Sequence, residues 1–322
     1  MSDPEPIRLE IDVQGSAPSG AEHIVADLFL PPPSATPAGI LLCCLPGGGM
    51  SRRYWDLQVA DELGEYSMAR YLARQGFAVA TIDPLGVGDS GRPDDGYALT
   101  PSALADVNDV AIRRIIAGLR EGTLRDDVAA VPTLRTVGVG HSAGGLLTVH
   151  QQARHRTYDA LALLGFAGGG LPSHLTEDER AFAGKPQLLR DALAALVEAR
   201  FGDPLPMRSS TAVSPMLVKG ASLEAALSAM AASGSSMLAL VGLTSMIPGS
   251  SDAELAAIDV PVFIGVGELD ITGTAHEIPS QFPNTRDVSL FVLAHSGHNH
   301  NVSDNRTDLW DRLGAWARSV LA

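Results

Sequence analysis

Short apolar runs alternate with helix-type segments along most of the 322-residue chain, and that alternation narrows the fold more than any single motif does. Ile40 to Leu45 and Phe77 to Ile82 are continuous apolar stretches of the kind that become strands buried on both faces. Between them, Val59 to Arg74 has the spacing of an amphipathic helix, closed by Gly76. The result is a β-α-β unit. The succession continues with a helix from Pro101 to Leu119, a strand at Leu134 to Val139, a helix from Ala143 to Arg154 and a strand at Tyr158 to Phe166. Ahead of it, Ile7 to Val13 and Glu22 to Leu30 alternate apolar with polar residues and stop at Pro31-Pro32-Pro33, as expected for a hairpin-like pair at a sheet edge.

The pattern then breaks. From Ala167 to Ile258 there is no strand signal, only helix-forming Ala, Leu and Glu interrupted by Gly and Pro, with five of the eight methionines. Strand signals return at Val260 to Val266 and Val288 to Leu293, followed by a terminal helix at Leu309 to Leu321. Because the strands resume after the break, we expect one mostly parallel, eight-stranded α/β sheet with flanking helices. Residues 1–167 and 258–322 would form the core, and 168–257 a helical insertion over the C-terminal strand ends, where open α/β sheets bind ligands.

Composition removes several function classes. A net charge of −14, from 37 acidic against 23 basic residues with only two lysines, argues against a nucleic-acid or anionic-membrane surface. Cys43 and Cys44 are neighbours in an apolar run without metal-type spacing, so they are expected to be buried and reduced. The acidic MSDPEPIRLE start has no signal-peptide pattern, which points to a cytoplasmic protein. Ala225 to Ile247 is uncharged and long enough to span a bilayer, yet it is rich in Ala, Ser and Gly and lacks flanking Lys or Arg. A pair of short helices is the expectation there.

Chemistry enters at the end of the strand Leu134 to Val139. Gly140-His141-Ser142-Ala143-Gly144 matches G-x-S-x-G between a strand and a helix, where a nucleophile elbow would hold a strained serine. A serine hydroxyl needs a base, itself oriented by a third group, and in this type of sheet these come from loops after the last strands. The stretch after Val266 offers Glu268 and Asp270, and that after Leu293 offers His295, His298 and His300. Asp270 is preferred as the deeper and shorter carboxylate, with Glu268 the alternative, and His298, just after Gly297, is the preferred base. His295 would pack or cap, and His300 would neighbour the site. A histidine metal cluster is a minor reading, because the loop spacing lacks cysteines or an H-E-x-x-H helix.

The three glycines of LPGGGM, Gly47 to Gly49, fit neither the P-loop nor the dinucleotide fingerprint. They do fit a backbone donor for an oxyanion: Gly48, or alternatively Gly49, paired with the N–H of Ala143.

In their order along the chain, LPGGGM, DPLGVGDSGRP (Asp83 to Pro93), GHSAG, GELDIT and SGHNH resemble the α/β-hydrolase superfamily. The resemblance implies a cofactor-free serine hydrolase with Ser142, Asp270 and His298 as its triad and residues 168–257 as a helical cap. Pro46 stands where many members carry His, and the serine sets the chain apart from the branches that use Asp at that position. Asp83 and Asp89 are read as loop-organising residues. An adaptable apolar pocket with Met230 and Met237 is expected in the cap, and Arg52 is a candidate for a substrate carboxylate. No Lys or Arg occurs from Gly220 to Thr285, which disfavours a phosphate or coenzyme A group there. The expected partner is a small ester, with a homodimer left open. The expected reaction is ester hydrolysis through an acyl-enzyme. Acyl transfer, thioester or carbon–carbon cleavage with the same triad is the alternative, and ligand reception without catalysis a lesser one.

Overall fold

The structure, a computed structural model, describes residues 5–59, 65–207, 215–220 and 223–322. Eight strands form one sheet: β1 (Ile7–Asp12), β2 (His23–Phe29), β3 (Ile40–Leu45), β4 (Ala78–Asp83), β5 (Arg135–His141), β6 (Ala160–Leu164), β7 (Val262–Gly267) and β8 (Val288–Leu293). Their order is β1-β2-β4-β3-β5-β6-β7-β8. β2 runs antiparallel to β1 and β4, and every pairing from β4 to β8 is parallel.

This direction rule assembles the site. Parallel strands all end on one edge of the sheet, so the loops after β3, β5, β6, β7 and β8 emerge side by side. Leu45 pairs with Gly140, His141 with Leu164 and Gly267 with Leu293. Apart from exposed Arg135 at the start of β5, strands β3 to β7 are buried along their length, whereas β8 at the sheet edge is half-exposed.

Helices cover both faces. On one side α2 (Pro101–Glu121) and α3 (Ala143–His155) pack on Leu41, Cys43 and Leu45. On the other, α1 (Met68–Arg74) and α9 (Arg306–Val320) pack on Leu42 and Cys44. The adjacent cysteines thus face opposite layers, as strand alternation demands, and both are buried and free. Helix α1 is shorter than the sequence suggests. It begins at Met68, because Ser67 caps it by accepting a hydrogen bond from the Arg70 N–H, and residues 60–64 of the expected helix lie outside the described residues.

Between β6 and β7 lie α4 (Glu177–Arg180), α5 (Pro186–Phe201), α6 (Glu224–Ala232), α7 (Ala239–Met246) and α8 (Asp252–Ala256). Leu189, Leu193 and Val197 of α5 meet Leu240 and Leu243 of α7 in an apolar cluster separate from the two sheet layers. The uncharged stretch from Ala225 to Ile247 is split between α6 and α7, and no described helix is long and apolar enough to cross a membrane.

Candidate active site

Ser142 occupies the turn from β5 into α3 with φ 52° and ψ −118°. A side chain held at positive φ costs about 1–3 kcal/mol and persists only where the surroundings dictate it. Here they do: the Ser142 N–H donates to the Leu164 carbonyl at 2.8 Å, and its own carbonyl accepts from Gly145 at 2.8 Å. The flanking glycines are required by close approach. A Cβ on Gly140 would stand 2.4 Å from the Gly144 carbonyl oxygen, and one on Gly144 would stand 2.3 Å from that of Leu45. The G-x-S-x-G spacing is therefore the spacing at which strand and helix backbones touch.

The loops after β7 and β8 bring Asp270 and His298 together. His298 Nδ1 donates to Asp270 Oδ1 at 2.7 Å, with both side chains nearly sealed from solvent. Asp270 also accepts from the backbone N–H groups of Ile271 (2.7 Å) and Gly267 (3.2 Å). Burial alone would raise the Asp270 pKa, but the charge and hydrogen bonds of His298 and His300 outweigh it and hold the carboxyl far below its ordinary range. Glu268 lies elsewhere, accepting from the backbone N–H of exposed His295 at 2.7 Å.

Two histidines do more than the sequence indicated. His300, expected only as a neighbour, donates from Nε2 to Asp270 Oδ2 at 3.1 Å, so one carboxylate serves two imidazoles. His141, inside the G-x-S-x-G motif, lies between Tyr54 and His298 with ring centroids 4.9 and 4.8 Å away. Its Nε2–H donates to the His298 carbonyl at 2.9 Å, and burial, reinforced by the neighbouring His298 and His300, keeps its pKa well below the ordinary histidine value. No spacing rule marks either role, since both depend on loops from different strands converging. Among the described residues no set of three or more His, Cys, Asp or Glu is arranged to hold a metal ion.

Backbone contacts fix the loop that carries His298. Gly297 donates to the Lys219 carbonyl at 2.7 Å and Asn299 to that of Leu217 at 2.9 Å, both acceptors belonging to the segment between β6 and β7. The glycine loop after β3 is held from the same segment: Ser51 donates to the Ser233 carbonyl at 2.9 Å, and Ser235 to that of Gly49 at 3.0 Å.

Two pockets adjoin Ser142. One is lined by Ser142 and His298 together with Phe166, Leu171, Ser245 and Thr272. The other is lined by Gly47, Gly48, Gly49, Ala143 and Leu238. The structure thus brings Gly48, Gly49 and Ala143 to one wall. Ala143 is the first residue of α3, where backbone N–H groups have no intrahelical acceptor.

The proposed substrate contacts fare differently. Met237 lies against the glycine loop, its Cγ 3.7 Å from where a Cβ on Gly48 would stand, whereas Met230 is buried in the apolar cluster with Met50 and Tyr54 and lines neither pocket. Arg52 is not presented to a substrate. Its guanidinium donates to Asp83 (2.5 Å) and Asp27 (2.7 Å) and lies 3.0 Å from Asp89, leaving 3% of its side chain exposed. Three carboxylates are reason enough for a buried arginine.

A sequence model of the alpha/beta hydrolase family matches residues 40–311. The chain belongs to that family. No curated protein sequence matches it significantly. Among solved structures, this α/β hydrolase is similar to a thermophilic esterase from Thermogutta terrifontis, with 15% identity, a TM-score of 0.56, and 98% of this chain and 100% of that one covered. It is also similar to a proline iminopeptidase from Mycobacterium smegmatis, with 16% identity, a TM-score of 0.61, and 98% and 99% covered. A haloalkane dehalogenase variant from Bradyrhizobium elkanii matches at 16% identity and a TM-score of 0.60, with 98% of each chain covered. Identities this low speak for the shared fold of an α/β hydrolase and leave the bond cleaved to the site itself.

Proposed function

We propose that the chain is a serine hydrolase that cleaves a carboxylic ester through an acyl-enzyme. The observation that carries this reading is the Asp270–His298 hydrogen bond of 2.7 Å, with His298 lining the same pocket as the strained Ser142. Because His298 Nδ1 bears the proton given to Asp270, Nε2 is the nitrogen left to take a proton. Ser142 Oγ attacks the ester carbonyl as His298 Nε2 accepts its proton, and the N–H groups of Gly48 and Ala143 receive the negative charge on the carbonyl oxygen. Collapse expels the alcohol, which takes the proton from His298. Water, deprotonated by His298, then attacks the acyl-enzyme and releases the acid and Ser142.

Residues 168–257 serve as a cap in this reading. The Ser233–Ser51 and Lys219–Gly297 backbone bonds support it, since they connect that segment to both the oxyanion loop and the histidine loop.

The test is a panel of p-nitrophenyl esters from acetate to dodecanoate, assayed with the wild-type protein and Ser142→Ala. Turnover that depends on chain length and falls by at least about 10⁴-fold in the variant is expected. Equal rates in the two proteins would end the acyl-enzyme reading, and a stoichiometric nitrophenol burst without turnover would replace hydrolysis with acyl transfer.

A further inference from the structure

The turn that carries the proposed oxyanion donors is short and tightly enclosed. Its Met50 N–H donates to the Gly47 carbonyl at 3.1 Å, and Gly49 takes a φ of 77°, which favours glycine. A Cβ on Gly47 would stand 2.5 Å from His141 Nδ1, and one on Gly48 would stand 3.8 Å from the Ala143 Cβ. The turn therefore lies directly against the nucleophile elbow. β3 fixes where it starts, and its far end is held from two directions. Asp83, at the end of β4, accepts from the Arg52 N–H at 2.6 Å. The second hold comes from the link between α6 and α7.

There Met50 forms an antiparallel bridge with Gly234: Ser51 donates to the Ser233 carbonyl at 2.9 Å and Ser235 to the Gly49 carbonyl at 3.0 Å. Ser235 makes a further bond that the bridge does not require. Its Oγ accepts from the N–H of Gly88, in the loop after β4, at 2.7 Å. That loop is itself braced, because Asp83 Oδ2 accepts from the Asp89 N–H at 3.0 Å and leaves no room for a Cβ on Gly88. Arg92, further along the loop, donates to Ser236 Oγ. Ser235 thus joins a braced loop to the glycine turn, its side chain on one and its main chain on the other.

We infer that Ser235 is a positioning residue for the oxyanion donors, holding the Gly47–Met50 turn in register with Ala143. Without the hydroxyl, the bridge keeps its backbone bonds but loses this attachment to the β4 loop. A shift of about 1 Å is enough to weaken a donor aimed at a developing charge. Stability should change little, because Gly88 is exposed and its N–H can bond water instead. The assignment rests on the ester-hydrolase reading for what the turn does, but the order of the turn can be measured without turnover.

The experiment uses Ser235→Ala and Ser235→Thr, with p-nitrophenyl butyrate as substrate and butylboronic acid as inhibitor. The boron takes up the Ser142 oxygen and becomes a tetrahedral anion, which draws on the oxyanion donors more strongly than the bound ester does. In Ser235→Ala, kcat/KM should fall about tenfold, mostly in kcat, and the Ki of the boronic acid should rise by a similar factor, with the urea midpoint close to that of wild type. Ser235→Thr, which keeps the hydroxyl oxygen, should stay near wild type in both. Unchanged kcat and Ki in Ser235→Ala overturn the inference. So does a loss confined to KM, an equal loss in Ser235→Thr, or a loss accounted for by unfolding, which would mark Ser235 as structural alone.

If wild type turns over no ester at all, the hydrolase reading has failed on its own. The role of Ser235 is then read from amide hydrogen exchange, where Gly48, Gly49 and Met50 should exchange at least about tenfold faster in Ser235→Ala while the β3 amides stay unchanged. Exchange rates equal to those of wild type overturn it.

Discussion

Asp83 and Asp270 are both buried carboxylates at the C-terminal edge of the sheet, yet their partners differ in kind. Asp83 accepts from the Arg52 backbone N–H at 2.6 Å, the Arg52 guanidinium and the Asp89 N–H. Its principal partner is a permanent cation, for although burial pulls the Arg52 pKa down, Asp83 and Asp27 hold it above its ordinary value. Asp270 instead accepts from ring nitrogens of two imidazoles, those of His298 and His300. A carboxylate against a fixed charge can only hold loops together, and this one ties the β3 loop to the β4 loop. A carboxylate against an imidazole can orient a base.

The sharpest way to break this comparison is to neutralise each carboxylate in turn. Asp270→Asn should lower kcat by about 10⁴-fold while the fold persists, because an amide at that position favours the wrong histidine tautomer. Asp83→Asn should instead lower the unfolding free energy by about 3–5 kcal/mol, since it leaves a buried guanidinium short of a charge. Urea denaturation and steady-state kinetics on both variants separate the two effects, and a stability loss confined to Asp270→Asn would reverse the assignment.

A finer test removes the second imidazole. His300→Gln should reduce kcat about tenfold with little change in KM, the size expected for one hydrogen bond to a charged group. An unchanged pH–rate profile and kcat would mark His300 as packing alone.

A further effect, on stability, concerns His141, whose ring packs against both Tyr54 and His298. Its folded pKa lies well below the ordinary value of 6.5, so the unfolded chain takes up a proton there before the folded one does. Stability from this residue is therefore complete above about pH 6.5 and declines as pH falls, by about 1.4 kcal/mol per pH unit. Buried His150 is lowered in the same direction and adds to the wild-type slope. Urea midpoints between pH 7.5 and 5 should depend less on pH in His141→Gln than in wild type. Asp270, held low, loses its contribution only below its ordinary 3.8, outside this window.

Much of the fold could be read from local pattern. The apolar run Ile40 to Leu45 became a buried strand with those bounds, and the proline run at Pro31 marked the end of β2 within two residues. The start of α1 was misplaced because the apolar spacing of Val59 continued past the cap at Ser67. Of the candidate site, the strand-turn-helix setting of Ser142 and the positions of Asp270 and His298 after β7 and β8 were legible along the chain. Arg52 was misread. Its neighbours in sequence show a pair of arginines beside a glycine loop, whereas Asp27 comes from β2 and Asp83 from β4.

What the sequence determined by itself, then, is whatever depends on residues near one another in the chain. That covers strand and helix type, the glycine spacing that lets β5 and α3 touch, and the order in which serine, carboxylate and histidine leave the sheet. Only the tertiary structure decided which groups share a partner: His300 with His298 on Asp270, and Arg52 with three carboxylates. Backbone propensity and hydrophobic periodicity act over a few residues, whereas hydrogen bonds and charges act through space between loops that parallel strands bring to a single edge.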